Sequence, residues 1–392
     1  MSKGSEELLM GRNDQINYAA VIKQFPWIVE EGHSCVLSPD SDGLLCGLLM
    51  AKYKKWKICG FYDDKVALIN RRVLSENPIF LDGEIFRRGI RSMGHHMLTL
   101  NHKRRPNNYD GCFENCIQPN LMRNYDKNLF QLKYPLATIH MLASILAYSL
   151  KDTESPMTIP VSAIPALFFT DGVYSTMFRY TENVLNWLHY LRMDEPWNPL
   201  KNIFENEKFT VFDLMKEMNA FFRERDKYDG PRKQTGDKLR ISNKKGEPYN
   251  IEKIETGTCH IAQDAIKRIC DFIRYIGSLT EWPFYDNDWD CWENLQFFQF
   301  TKGSFKGDKK TLTISNFNSF IQRNPLSWAM TSGQDIEYTM ETPSRFPFNL
   351  YRQKTLDAAI SQETAKLISS ELGLFAAETP AQYDKPREDL NG

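Results

Sequence analysis

Four aspartates and a run of histidines carry the chemistry that this sequence could perform. Asp40 and Asp42 stand two residues apart in "SPDSDG", where an apolar run ends. Asp82 closes a second apolar run, "PIFLDGE", and Asp171 follows a third in "ALFFTDGVYST". His95 and His96 form "GHH", and His102 follows six residues after His96 in "LNHK". Carboxylates gathered at one place repel one another, and a divalent cation removes that repulsion. Two such ions a few Å apart clamp and polarise a phosphoryl group and lower the pKa of a water molecule. A single aspartate at a strand end is also a common helix N-cap; recurrence at successive strand ends is what favours a metal site here.

The positioning elements follow from the pattern. Residues 36–38, 58–62, 78–82 and 96–100 read as short buried strands, with helical periodicity over 44–55 and 84–93 between them. That alternation predicts an α/β fold: a doubly wound, mainly parallel sheet with helices on both faces. In such a sheet ligands bind in the crevice at the carboxyl ends of the strands, where Asp40, Asp42 and Asp82 would lie. A buried helix is expected over 134–150, and a strand running into a helix over 164–178. Beyond about residue 195 the pattern changes to helices at 210–224 and 260–277 around a basic loop, followed by an aromatic stretch (282–300), a β-rich region and a last helix over 354–371. The expected division is a leader (1–25), an α/β domain (26–195), a divergent helical or mixed α+β domain (196–375) that contacts substrate or partner, and a disordered tail (376–392).

Composition excludes little. Forty-nine Lys and Arg balance fifty Asp and Glu, so any polyanionic partner must be held by a local patch rather than by global charge. The eight cysteines form no paired CxxC sets and read as reduced core thiols of a cytoplasmic protein. The longest apolar run, 136–150, is shorter than the ~20 residues a membrane helix needs. Hence no membrane partner is expected.

The ordered motifs resemble those of the DHH phosphoesterase superfamily, which includes RecJ-type exonucleases, nanoRNases, cyclic-dinucleotide phosphodiesterases and family II pyrophosphatases. Its opening strand, Asp-x-Asp-Gly and apolar helix are matched by Asp40-Ser41-Asp42-Gly43 and "LLCGLLM"; its second motif by Asp82; its fourth by Asp171. The similarity covers about residues 35–183. It implies hydrolysis of phosphodiester bonds in nucleic acid or oligonucleotides, with two Mn2+ or Mg2+ ions held by Asp40, Asp42, Asp82, a histidine and Asp171. Two segments compete for the Asp-His-His motif: Gly94-His95-His96 matches two of its three residues, whereas His102 has better spacing for a strand crossover. Lys103, Arg104 and Arg105 would then face substrate phosphate. Ser38 stands where the family has His or Asp, and would touch substrate while leaving one ion weakly held. The C-terminal Gly-Gly-Gly-His-type signature is absent.

Two other readings fit the same residues. One is a catalytically silent DHH-like subunit that binds or assembles within a protein complex. The other is a PP-loop ATP pyrophosphatase, in which Pro39 and Asp40 would occupy glycine positions of the phosphate nest. The basic loop 223–250 and "WPFYDNDWDCW" suggest phosphate neutralisation and stacking on unpaired bases.

Overall fold

The computed structural model describes residues 14–98, 109–125, 129–207, 209–230, 236–253, 258–306, 314–330 and 335–340. The strands are β1 (Ser34–Leu37), β2 (Lys57–Tyr62), β3 (Val66–Asn70), β4 (Ile79–Leu81), β5 (Ser92–Met93), β6 (Cys116–Ile117), β7 (Ile251–Lys253), β8 (Cys259–Ile261), β9 (Leu295–Gln299), β10 (Thr301–Lys306), β11 (Ser327–Met330) and β12 (Asp335–Met340). The helices used below are α1 (Tyr18–Gln24), α2 (Ser41–Lys54), α3 (Thr138–Leu150), α4 (Ile164–Phe169), α5 (Val173–Arg179), α6 (Thr181–Tyr190), α7 (Val211–Asp226), α8 (Gln263–Thr280) and α9 (Ile314–Gln322).

Nine strands form one sheet in the order β6-β5-β4-β1-β2-β3-β9-β8-β7. The half from β6 to β2 is parallel. From β2 to β7 every pairing is antiparallel. The fold is thus α/β with a large mixed sheet, and β7 to β9, which lie beyond residue 195, extend the same sheet as the N-terminal strands.

Alternation of side chains explains the two faces. Cys35, Leu37, Ile79, Leu81, Val66 and Leu68 point into the main core with the helices. Val36, Phe80, Ala67 and Ile69 point to the other side. A bulge between β1 and β2 pairs Cys35 with Ile58 but Val36 with Gly60. The extra residue lets both Ile58 and Phe61 reach the helical face. Helix α2 lies at the centre, where all of its residues but Lys52 and Tyr53 are buried, and packs on α3 and α8.

Several expectations are corrected. The second face is not covered by long helices among the described residues. Its apolar partners are Val73 and Leu74 of a 3-10 turn, Ile85, Ile90 and Leu326. Residues 84–93 are not helical, because their apolar groups serve two cores: Ile85 and Ile90 cover the sheet, while Phe86 joins a second core with α9 and Trp328. Gly89, at φ 81°, turns the chain between them. Residues 96–98 of the strand expected at 96–100 are not a strand, and 99–100 lie outside the described residues; β5 starts four residues earlier, at Ser92, and Met97 and Leu98 enter the second core. The run before Asp171 is helix α4, not a strand; Pro165 at its start favours a helix N-terminus, and a short apolar run does not discriminate by periodicity. The aromatic stretch offers little stacking surface, since Trp282 and Trp289 are fully buried and Tyr285 alone is widely exposed. The helix expected at 354–371 lies outside the described residues.

All eight cysteines are free thiols. Among the described residues no helix is long and apolar enough to cross a membrane.

The α2 N-terminus approaches β1 so closely that a Cβ on Gly43 would sit 2.1 Å from the Ser38 carbonyl oxygen. Gly43→Ala should therefore cost about 3 kcal/mol or more through overpacking, read as a lowered denaturant midpoint. Gly111→Ala, where an added Cβ meets nothing within 4 Å, should change stability by less than about 0.5 kcal/mol. Equal effects would contradict the close approach.

Candidate metal centre

The crevice at the carboxyl ends of the parallel strands collects the candidate groups. Asp40 caps α2 just beyond β1, Asp82 follows β4, and His95 and His96 follow β5. Asp171 comes from the kink between α4 and α5. One donor atom from each of Asp82, His95, His96 and Asp171 lies within 4.8 Å of the others, the one such group of three or more among the described residues. Asp82 and Asp171 both hold left-handed backbone, at φ 55° and 49°. Such conformations cost of order 1–3 kcal/mol in non-glycine residues and persist where the surroundings fix them.

Asp42 is fully buried and serves helix α3. Its Oδ2 accepts from Thr138 N–H at 2.7 Å and its Oδ1 from Ile139 N–H at 2.9 Å, so it caps a helix whose own N-cap, Ala137, offers no side chain. Thr138 then links two of the four grouped side chains. Its hydroxyl donates to Asp82 Oδ1 at 2.7 Å, so its oxygen accepts from His95 Nδ1–H at 2.9 Å. This network assigns the proton of His95 to Nδ1. Nε2 is left bare, 3.4 Å from Asp171 Oδ2. An imidazole nitrogen and a carboxylate oxygen facing each other at that distance are donors that a cation can bridge.

Glu84 orients the other histidine. Its Oε2 lies 3.2 Å from His96 Nδ1, and its Oε1 accepts from the backbone N–H of His96 and Met97 and from Gln118. Asn120 Nδ2 donates to the His95 and Met97 carbonyls, fixing the backbone that carries both rings.

The electrostatics express a concentration of negative charge. Burial, then the charges of Asp171 and Asp40, push Asp42 well above the usual carboxylate range, despite its bond to Ile139. Burial and the neighbouring Asp42, Asp40 and Asp171 do the same to Asp82. Burial and the adjacent His96 hold His95 well below the ordinary imidazole value. Burial also opposes charge on His96, but the Glu84 carboxylate, by charge and hydrogen bond, outweighs it and brings His96 up to about 10.

The cleft over this centre has a volume of about 670 Å3. Ser38, Asp40, Asp82 and His96 line it together with Lys65, Lys238, Arg240, Lys244 and Lys302. The basic loop expected to meet phosphate thus contributes Lys238, Arg240 and Lys244. Ser38 N–H is bonded to the Leu81 carbonyl, and Pro39 has no N–H, so this loop forms no phosphate nest at those positions. His102, Lys103, Arg104 and Arg105 lie outside the described residues. Sequence reasoning missed Glu84, Thr138 and Lys238. For Thr138 a signal existed, a hydroxyl residue at the start of a buried helix; for Glu84 none did.

The residues fit a divalent ion: two imidazoles and two carboxylates suit Mn2+ and related first-row metals, and carboxylates alone suit Mg2+. Compared with family models, with curated proteins and with solved structures, the chain has no significant match.

The sign of the pH dependence follows. Between pH 7 and 9 His95 is neutral in both states. His96, brought from the ordinary imidazole value of 6.5 up to about 10, binds its proton more tightly when folded, so the stability that this proton brings is lost as pH rises through this range. The metal-free melting temperature should fall from pH 7 to 9, and Mn2+ should remove most of that slope. Asp82→Asn, which keeps an acceptor for Thr138, should raise the metal-free melting temperature at pH 8 and abolish the Mn2+ shift. A lowered value would contradict buried repulsion.

Proposed function

We propose that the chain is a divalent-metal-dependent phosphodiesterase of DHH-like type, acting on single-stranded nucleic acid or oligonucleotides. The observation that carries this reading is the convergence of Asp82, His95, His96 and Asp171 within 4.8 Å, beside a cleft that Asp82 and His96 line together with Lys65, Lys238, Arg240, Lys244 and Lys302. The motif order along the chain supports it: Asp40 and Asp42 after the first strand, then Asp82, the histidines and Asp171. When bound, Mn2+ or Mg2+ supplies Lewis-acid polarisation of a phosphoryl oxygen and lowers the pKa of water.

The protein's own groups then have separate tasks. Asp82, His95, His96 and Asp171 hold the ion. Thr138 and Glu84 fix the orientation of the imidazoles, as outer partners of metal ligands commonly do. Arg240, Lys244 and Lys65 neutralise substrate phosphate, and Ser38 contacts it from the end of β1. A second reading, a silent binding or assembly subunit, is favoured by one observation: both oxygens of Asp42 are taken up by helix α3.

The test is a Mn2+-dependent hydrolysis assay on short single-stranded oligonucleotides, with a cyclic dinucleotide and pyrophosphate as alternatives. Asp82→Ala and His95→Ala should each lower turnover by more than about 100-fold, and Glu84→Gln should weaken Mn2+ about 10- to 100-fold. His102→Ala should retain activity if "GHH" is the third motif. No hydrolysis of any of these substrates at millimolar Mn2+ would favour the silent subunit.

A further inference from the structure

We infer that the centre takes a single divalent ion, and that the Lys238 ammonium, facing Asp40, supplies the positive charge that a second ion would otherwise bring. The role given to Lys238 in turnover rests on the function proposed above; the ion count does not.

Four observations converge. The group of donors within 4.8 Å of one another comprises Asp82, His95, His96 and Asp171, enough for one ion with open positions for water and substrate. Asp42 is not in that group, and its Oδ1 and Oδ2 face the Ile139 and Thr138 amides at 2.9 and 2.7 Å. Ser38 brings a neutral hydroxyl to the cleft where a charged or imidazole ligand would be required. Finally, the carboxylate of Asp40 already faces a cation, with Lys238 Nζ 3.8 Å from its Oδ2.

Lys238 is held there by its backbone. The next residue, Leu239, is buried and donates its N–H to the Pro39 carbonyl at 2.9 Å, which ties the segment to the loop that carries Asp40. Further along, Ser242 Oγ donates to Asp63 Oδ2, Lys65 Nζ to the Asn243 carbonyl and Gln299 Nε2 to the Gly246 carbonyl. The strap is thus fastened to the loop after β1, to the β2–β3 turn and to β9. The Lys238 side chain itself is half exposed and lines the cleft.

Physically, the two cations are not equivalent. An ammonium supplies one positive charge and three donors on a flexible stem. It can neutralise Asp40 and a phosphoryl oxygen together, but it has no open coordination site for water. Lys238 therefore serves charge stabilisation of the phosphoryl group, leaving metal chemistry to the Asp82–His95–His96–Asp171 position.

The test counts ions on the intact protein. Equilibrium dialysis against Mn2+ with metal analysis should give one ion per chain, and electron paramagnetic resonance should show an isolated Mn2+ spectrum without spin coupling. The double variant Ser38→His, Lys238→Met should take up a second ion. Lys238→Met alone should keep the one ion at unchanged affinity and lower kcat by roughly 100-fold, with Lys238→Arg recovering part of it. Two ions per wild-type chain, no second ion in the folded double variant, or full turnover in Lys238→Met would each overturn the inference. One ion without any phosphoester turnover would instead remove the function proposed above, and the double variant would still decide the place of Lys238.

Discussion

Two buried carboxylates, one in the first turn of α2 and one at the end of β4, set the terms for the rest of this structure. Asp42 and Asp82 lie together in a region of low dielectric, with the charges of Asp40 and Asp171 close by. Uncompensated, such charges do not remain buried; they bind protons, accept hydrogen bonds or hold a cation. The protein uses the first two routes and is arranged for the third. The N-terminus of α3 is spent on Asp42, and the Thr138 hydroxyl on Asp82. What remains is a group of donor atoms on Asp82, His95, His96 and Asp171, within 4.8 Å of one another, that a cation could draw together, displacing the His96 proton.

The scaffold places these groups by close approach rather than by long reach. Gly43 lets α2 begin against the Ser38 backbone, and Gly60 lets β2 pass the Leu68 carbonyl, where a Cβ would lie 2.1 Å away. Left-handed backbone at Asp82 and Asp171 aims two carboxylates that ordinary strand or helix geometry would direct elsewhere. A second core, with Phe86, Trp328 and α9, braces the segment that carries the histidines, through Met97 and Leu98. The cleft lies where the large sheet, the three-stranded sheet β10-β12-β11 and the strap at residues 236–250 meet.

Much of the site was legible in the sequence, because it depends on strand ends. The apolar runs before Asp40 and Asp82 announce both the strands and the edge at which the carboxylates emerge. The structure groups Asp171 with Asp82 and the histidines although its preceding element is a helix; a buried run of six residues looks the same in either form. Glu84 was not legible, since its partner His96 is brought to it by a loop that has no periodic pattern. The antiparallel half of the sheet was also hidden: β7, β8 and β9 are short and are recruited across more than 180 residues from β3. The basic loop could be seen as basic, but only the bond from Leu239 to Pro39 brings Lys238 to Asp40.

The account turns on a cation at the four-donor position. The most direct measurement is anomalous scattering from Mn2+-soaked crystals collected at the manganese edge. The account requires a single strong peak bounded by Asp82, His95, His96 and Asp171. No peak there, or a peak coordinated by Asp40 and Ser38 in its place, would contradict it.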